Sequence, residues 1–107
     1  MRLDIVIPAH NEEASVGQTV RAVAGALRDA DIEHEIVVVD DASTDRTGTI
    51  VEETAKTNRN VRCLRSPNPP GFGFAVRAGL DATDGDGVAI MMADLSDDPE
   101  DLSLIHI

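Results

Sequence analysis

Four short runs rich in Val and Ile recur along the chain, Leu3–Pro8, Glu35–Val39, Val61–Leu64 and Gly87–Met92, with helix-like segments between them. No other feature constrains the fold as much. None of the runs alternates cleanly between apolar and polar residues, as a strand with one wet face does. Continuous apolar strands belong to parallel sheets covered on both sides. The intervening segments carry the other period. Ala14–Arg28 sets Val16, Val20, Val23, Ala24 and Leu27 on one stripe, at spacings of three and four. Thr47–Thr57 repeats the pattern with Ile50, Val51, Thr54 and Ala55, after Ser43 or Asp45 as N-cap. Ala75–Ala82 makes a third helical segment, entered through "PPGFGF". Strand alternating with helix predicts an α/β fold, a three-layer α/β/α sandwich with right-handed crossovers and a mostly parallel sheet. At 107 residues the chain holds one modest domain and not two.

Ligands of such sheets bind beyond the carboxyl ends of the strands. The four runs end in "PAHNEE", "DDASTDRT", "RSPNPPGFG" and "ADLSDD", so four polar clusters are expected along one edge. Asp40 and Asp41 close a buried strand, where a carboxylate accepts hydrogen bonds from ribose hydroxyls or a base N–H; the plainer alternative is that one of them caps a turn. Asp45, among Ser43, Thr44 and Thr47, reads as a capping residue. Pro8 is expected to stop the first strand, leaving His10, Asn11 and Glu12 in a loop. Glu12 and Glu13 also suit the first turn of a helix, where the dipole favours negative charge. His10 makes no zinc spacing with His34 or His106. "PNPPGFGFAVRAGL" could bring backbone N–H groups to a ligand, but it has neither Gly-x-Gly-x-x-Gly spacing nor a Walker lysine. Asp94, leaving the fourth run, is placed to coordinate a hard cation, with Ser96 adding a hydroxyl or a bound water. Asp97, Asp98, Glu100 and Asp101 read instead as the charged first turn of a helix beginning at Pro99.

Charge limits the partners. The chain carries 9 basic and 20 acidic residues, a formal charge of −11. Nucleic acid and anionic membrane surfaces require basic patches and are disfavoured. A small phosphorylated ligand is not, because a divalent cation bridges carboxylate to phosphate. The lone Cys63 permits no internal disulfide and reads as a buried, inert thiol. The N-terminal apolar run is too short for a signal peptide, and no stretch approaches the ~20 apolar residues of a membrane span. A cytoplasmic protein is expected.

"IVIPAHNEE", "EIVVVDDASTDRT", "GFGFAVRAGL" and "MMADLSDDPEDL" together resemble the amino-terminal half of family 2 glycosyltransferases of the GT-A fold, in the branch of dolichyl- and polyprenyl-phosphate sugar synthases. The likeness runs in order and spacing from residue 3 to about residue 102. It implies a Rossmann-like half-domain that binds a nucleotide-diphosphate sugar over its strand ends. Pro8, His10 and Glu12 match positions lining the base and ribose pocket, and Asp40 and Asp41 match the acidic pair at the nucleoside. Ala93 and Asp94 match the end of the family's Asp-x-Asp, whose last Asp binds Mg²⁺ or Mn²⁺ and through it the diphosphate. The resemblance further implies inversion at the anomeric carbon and a polyprenyl-phosphate or related glycan acceptor. It places membrane contact in the lipid acceptor or in later parts of the chain, at the inner face of the membrane. One departure stands out: Met92 replaces the first Asp of Asp-x-Asp.

Enzymes of that family continue well past "DPEDL" with the acceptor site and its catalytic groups, so residues 1–101 are expected to be a donor-binding part without them. The tail "LSLIHI", residues 102–107, breaks the helical pattern. It is what CTG-TCT-CTT-ATA-CAC-ATC, a transposon-end sequence used in library preparation, encodes, and is expected to be non-native. Two rival readings remain: a two-component receiver domain, whose acidic pair "VVVDD" imitates, and an inactive fragment.

Overall fold

The computed structural model describes residues 2–66, 71–83 and 86–91. Its elements are β1 (Arg2–Ala9), α1 (Val16–Asp29), β2 (Glu33–Asp40), α2 (Thr47–Thr57), β3 (Val61–Arg65), α3 (Phe72–Asp81) and β4 (Gly87–Ile90). All neighbouring strands pair in parallel, in the order β3-β2-β1-β4. The unbroken apolar character of the runs has the expected cause. Ile5, Val6, Ile7 and the whole of Ile36–Val39 are fully buried, because both faces of the sheet are covered.

The two faces divide the strands by alternation. Leu3, Ile5, Ile7, Ala9, Ile36 and Val38 pack with Val16, Val20, Val23, Ala24 and Leu27 of α1 and Val51 of α2. Val6, Val37 and Val39 pack with Ala75 and Ala78 of α3 on the other side. The α1 stripe read from spacing is thus the buried stripe. On α2 only Val51 of the expected four is fully buried, while Ile50 and Ala55 pack partly against the core. Gly79 lets α3 lie close to the sheet: a Cβ there would collide with Val6 and stand 3.1 Å from Val39.

Pro8 does not stop β1, which runs on to pair Pro8 with Val39 and Ala9 with Asp40. The backbone bonds explain this. Met91 N–H donates to Val6 O and Asp41 N–H to Ala9 O, so even positions of β1 face β4 and odd ones face β2. Pro8 therefore turns its missing N–H to the β4 side, past the last described pair, Val6 with Ile90. No ladder bond to β2 is lost.

Helix starts also differ from expectation. α1 begins at Val16 rather than Ala14, because the Glu12 carbonyl accepts the Ser15 and Val16 N–H groups at 3.0 and 2.8 Å in a preceding turn. Glu12 and Glu13 thus lie before the helix and not in its first turn. α3 begins at Phe72, three residues before the expected Ala75.

Candidate functional site

Because every strand is parallel, the chain leaves β1, β2 and β3 at one edge, and the strand order reverses between β1 and β4. Two loops build this edge, residues 10–15 after β1 and 41–46 after β2. The first donates three consecutive backbone N–H groups to the second and to the first residue of α2: Asn11 to Ser43 Oγ at 3.0 Å, Glu12 to Thr47 Oγ1 at 2.8 Å, and Glu13 to Asp45 Oδ2 at 3.2 Å. In return, Asn11 Oδ1 accepts the Thr44 N–H at 2.8 Å and Glu13 accepts the Arg46 N–H at 3.4 Å. Asn11 and Ala42 reach these contacts with left-handed backbones, φ 52° and 54°.

Asp45 is the hub of the second loop. Its carboxylate accepts the Thr47 hydroxyl, the Thr47 N–H at 2.9 Å and the Glu13 N–H. The Thr47 hydroxyl bond, ahead of an opposing burial effect and aided by the backbone N–H groups, holds the carboxyl below its ordinary range. The capping role expected of Asp45 is present in altered form. Arg46 is the N-cap of α2 without a side-chain bond, and Asp45 reaches Thr47 from the residue before it. Ser43 caps no helix and serves the loop pairing instead.

His10, exposed, joins the loops at another point. Its Nδ1–H donates to the Asp41 carbonyl at 2.6 Å. A carbonyl only accepts, so Nδ1 carries the proton, and Nε2 faces the Asn11 amide at 3.4 Å. Pro8 is buried in β1, and Glu12 is half-buried, with Ser15 Oγ 3.5 Å from Oε2.

The adjacent acids at the end of β2, Asp40 its last residue and Asp41 the first of the loop, separate onto opposite faces of the sheet. Asp40, 3% exposed, turns to the α2 side, where Oδ1 accepts the Ser43 N–H at 3.2 Å and Oδ2 lies 3.5 Å from Arg65 Nη1. Gly48 packs against it so closely that a Cβ would come to 2.5 Å of Oδ2. Asp41, 7% exposed, turns to the α3 side, and its two oxygens lie 3.2 and 3.1 Å from the Gly71 N–H. Gly71 opens a cavity of about 620 Å³ along the outer side of α3, lined also by Gly73, Phe74, Arg77 and Asp81. The sequence reading named this segment as a loop leading to a helix that could bring backbone N–H groups to a ligand; the described N–H of Gly71 is instead directed at Asp41. The same reading passed over Thr47, and over the bridging roles of Asn11 and Asp45. Neighbouring Asn, Ser, Thr and Asp residues in two strand-end loops are the signal that was there to be found.

Among the described residues no group of three or more His, Cys, Asp or Glu side chains gathers to hold a metal ion. Ala93, Asp94 and Ser96, the departure at Met92, the acids from Asp97 to Asp101 and the tail 102–107 lie outside the described residues. The donor set named for a cation, one carboxylate and one hydroxyl, is all oxygen, which fits Mg²⁺ or Mn²⁺. It follows β4, the strand beside the reversal in strand order. Cys63 is half-buried rather than buried, and burial first, then the Asp40 and Glu52 charges, push its thiol up to about 11 against the opposing effect of Arg65, which fits the inert thiol expected.

The strand order removes one rival. Receiver domains share the flavodoxin-like order in which the first strand lies between the second and the third. Here β2 lies between β1 and β3.

Comparison with known proteins agrees with that geometry. The model of the family described as glycosyl transferase family 2 matches residues 4–105. A dodecaprenyl-phosphate galacturonate synthase of Rhizobium johnstonii is 37% identical over 105 residues, 95% of this chain and 30% of the relative. An undecaprenyl-phosphate 4-deoxy-4-formamido-L-arabinose transferase of Proteus mirabilis is 32% identical over 102 residues, 94% of this chain and 31% of the relative. Among solved structures, a mannosyltransferase of Pyrobaculum calidifontis in complex with GDP-Man and Mn²⁺ superimposes with a TM-score of 0.76 at 27% identity, over 87% of this chain and 27% of that one. The chain thus spans less than a third of the length of these curated relatives.

Proposed function

Since the chain belongs to glycosyl transferase family 2, we propose that residues 1–101 are the donor-binding part of an enzyme that moves a hexose from a nucleotide-diphosphate sugar to a polyprenyl phosphate or a related glycan acceptor, with inversion. The tail from Leu102 to Ile107 lies outside that part. One observation carries the reading: the buried Asp41 carboxylate, just past the carboxyl end of β2 and beside that of β1, meets one backbone N–H among the described residues and has lone pairs to offer a ligand. A carboxylate offers about four acceptor sites, so a ribose hydroxyl or a base N–H can share it with Gly71. His10, with its proton fixed on Nδ1, Glu12 and Pro8 form the facing wall. Asp40, whose oxygens are engaged by Ser43 and Arg65, supports this wall from the α2 side.

Asp94 and Ser96 would hold Mg²⁺ or Mn²⁺, with Ala93 beside the donor. Such an ion supplies Lewis-acid charge neutralisation of the departing nucleoside diphosphate. The two relatives are named for polyprenyl-phosphate products and the structural neighbour holds GDP-Man and Mn²⁺, which supports this substrate class. Among the described residues no helix is long and apolar enough to cross a membrane. A lipid-phosphate acceptor brings the whole enzyme to the inner face of a membrane.

Titration calorimetry with UDP and GDP tests the division between the two acids. Asp41→Asn keeps an acceptor for Gly71 but loses the charge, and should weaken nucleotide binding by about 1.5–3 kcal/mol. Asp40→Asn should lower stability and leave affinity near that of the parent. Equal affinity of Asp41→Asn and parent for both nucleotides would remove Asp41 from the site.

A further inference from the structure

We propose that Asn11 and Asp45 are positioning residues whose side chains clasp the two loops together and thereby set the width of the nucleoside site. The inference rests on the donor-binding reading above. The walls of the proposed site come from separate loops, His10 and Glu12 from the one after β1 and Asp41 from the one after β2. The β1–β2 ladder and the bond from His10 to the Asp41 carbonyl hold the base of the gap. The clasp holds the loops above that base, from both sides of Glu12. On one side Asn11 takes the Thr44 N–H and hydroxyl on a single oxygen, at 2.8 and 3.3 Å. On the other, Asp45 takes the Glu13 N–H while also holding the start of α2 through Thr47.

The residue types suit the task. Asn tolerates the left-handed backbone at φ 52° better than most residues and still brings an amide oxygen across the gap. Asp45, acceptor-only when ionised, can receive donors from its own loop and from the facing one. Three successive amides of the first loop donate to side chains of the second loop and of Thr47 at the start of α2, so the two segments are tied to each other. Ligand sites need their walls held within about 0.5 Å of the productive geometry, and residues behind the wall provide that.

The test uses the 107-residue chain, with UDP and GDP as probes in the presence of Mn²⁺. Amide exchange is followed at Thr44 and Glu13. Asn11→Gly keeps the left-handed backbone and removes the acceptor. It should free the Thr44 amide to exchange and weaken nucleotide binding about tenfold. Asn11→Asp restores an acceptor oxygen and should bind within about twofold of the parent. Asp45→Asn, with an oxygen left for Thr47 but none for Glu13, should resemble Asn11→Gly. Val23→Ala empties part of the core under α1, away from the loops. It should lower stability without changing affinity, which separates positioning from general destabilisation. If Asn11→Gly frees Thr44 yet binds as tightly as the parent, or Asn11→Asp fails to restore binding, the inference is wrong and the donor-binding reading stands. If the parent binds neither nucleotide, both fall.

Discussion

Between Asp40 and Asp41 the chain passes from the α2 face of the sheet to the α3 face, and Ala42 completes the turn with φ 54°. An Ala in that region crowds its Cβ against the following carbonyl, at a cost of roughly 1–2 kcal/mol. The residue is exposed, so its methyl group contributes no packing. Ala42→Gly should therefore stabilise the fold by about 0.5–1 kcal/mol despite the greater freedom of glycine when unfolded. A rise in the urea midpoint at constant slope would bear this out; a fall would mean that the side chain has a role in the loop. Asp45 adds a pH dependence of known sign. Its folded carboxyl lies below the unfolded value, so its contribution is present above the ordinary carboxylate range. That contribution is lost as pH falls through the folded value.

α3 is held at both ends by side chains from other elements. Asp41 accepts the N–H of Gly71, the residue just before the first turn of α3, and Arg62 donates to the Ala82 carbonyl at 2.8 Å just past its last turn. In between, Gly79 lies on Val6 and Val39. Gly79→Ala should cost about 1–3 kcal/mol by overpacking, although alanine is the better helix former. Thermal denaturation reads this directly; an unchanged or raised midpoint would show that α3 can lift off the sheet without loss. The same helix shows where sequence reasoning ends. The stripe of α1 was legible because five apolar residues carry the period themselves, and all five are buried. The start of α3 was not, because the carboxylate at its first turn comes from thirty residues away. The acidic pair was legible as a site, and alternation separates its members; which acid meets α2 and which meets α3 was not legible, since it depends on which helix covers each face of the sheet. The clasp was illegible for a similar reason: it pairs loops about thirty residues apart, each of which reads as an ordinary turn.

At the scale of the molecule, the order β3-β2-β1-β4 sets α1 and α2 on one face and α3 on the other, and leaves the reversal open between β1 and β4. An acidic chain of formal charge −11 repels a diphosphate at long range, and a bridging cation would offset that repulsion. Metal dependence is therefore the proposal to test first. The direct measurement is titration of UDP and GDP with and without Mn²⁺, in the parent and in Asp94→Asn, Asp97→Asn and Asp98→Asn. The account predicts that one nucleotide binds only with Mn²⁺. Asp94→Asn should abolish the dependence along with most of the affinity, because an amide lacks the charge that holds a hard cation. Asp97→Asn and Asp98→Asn should change affinity by only a fraction of a kcal/mol, about the size of a helix-dipole effect. Manganese-dependent binding that survives Asp94→Asn and disappears in Asp97→Asn or Asp98→Asn would contradict the assignment, and binding indifferent to manganese in the parent would contradict the account.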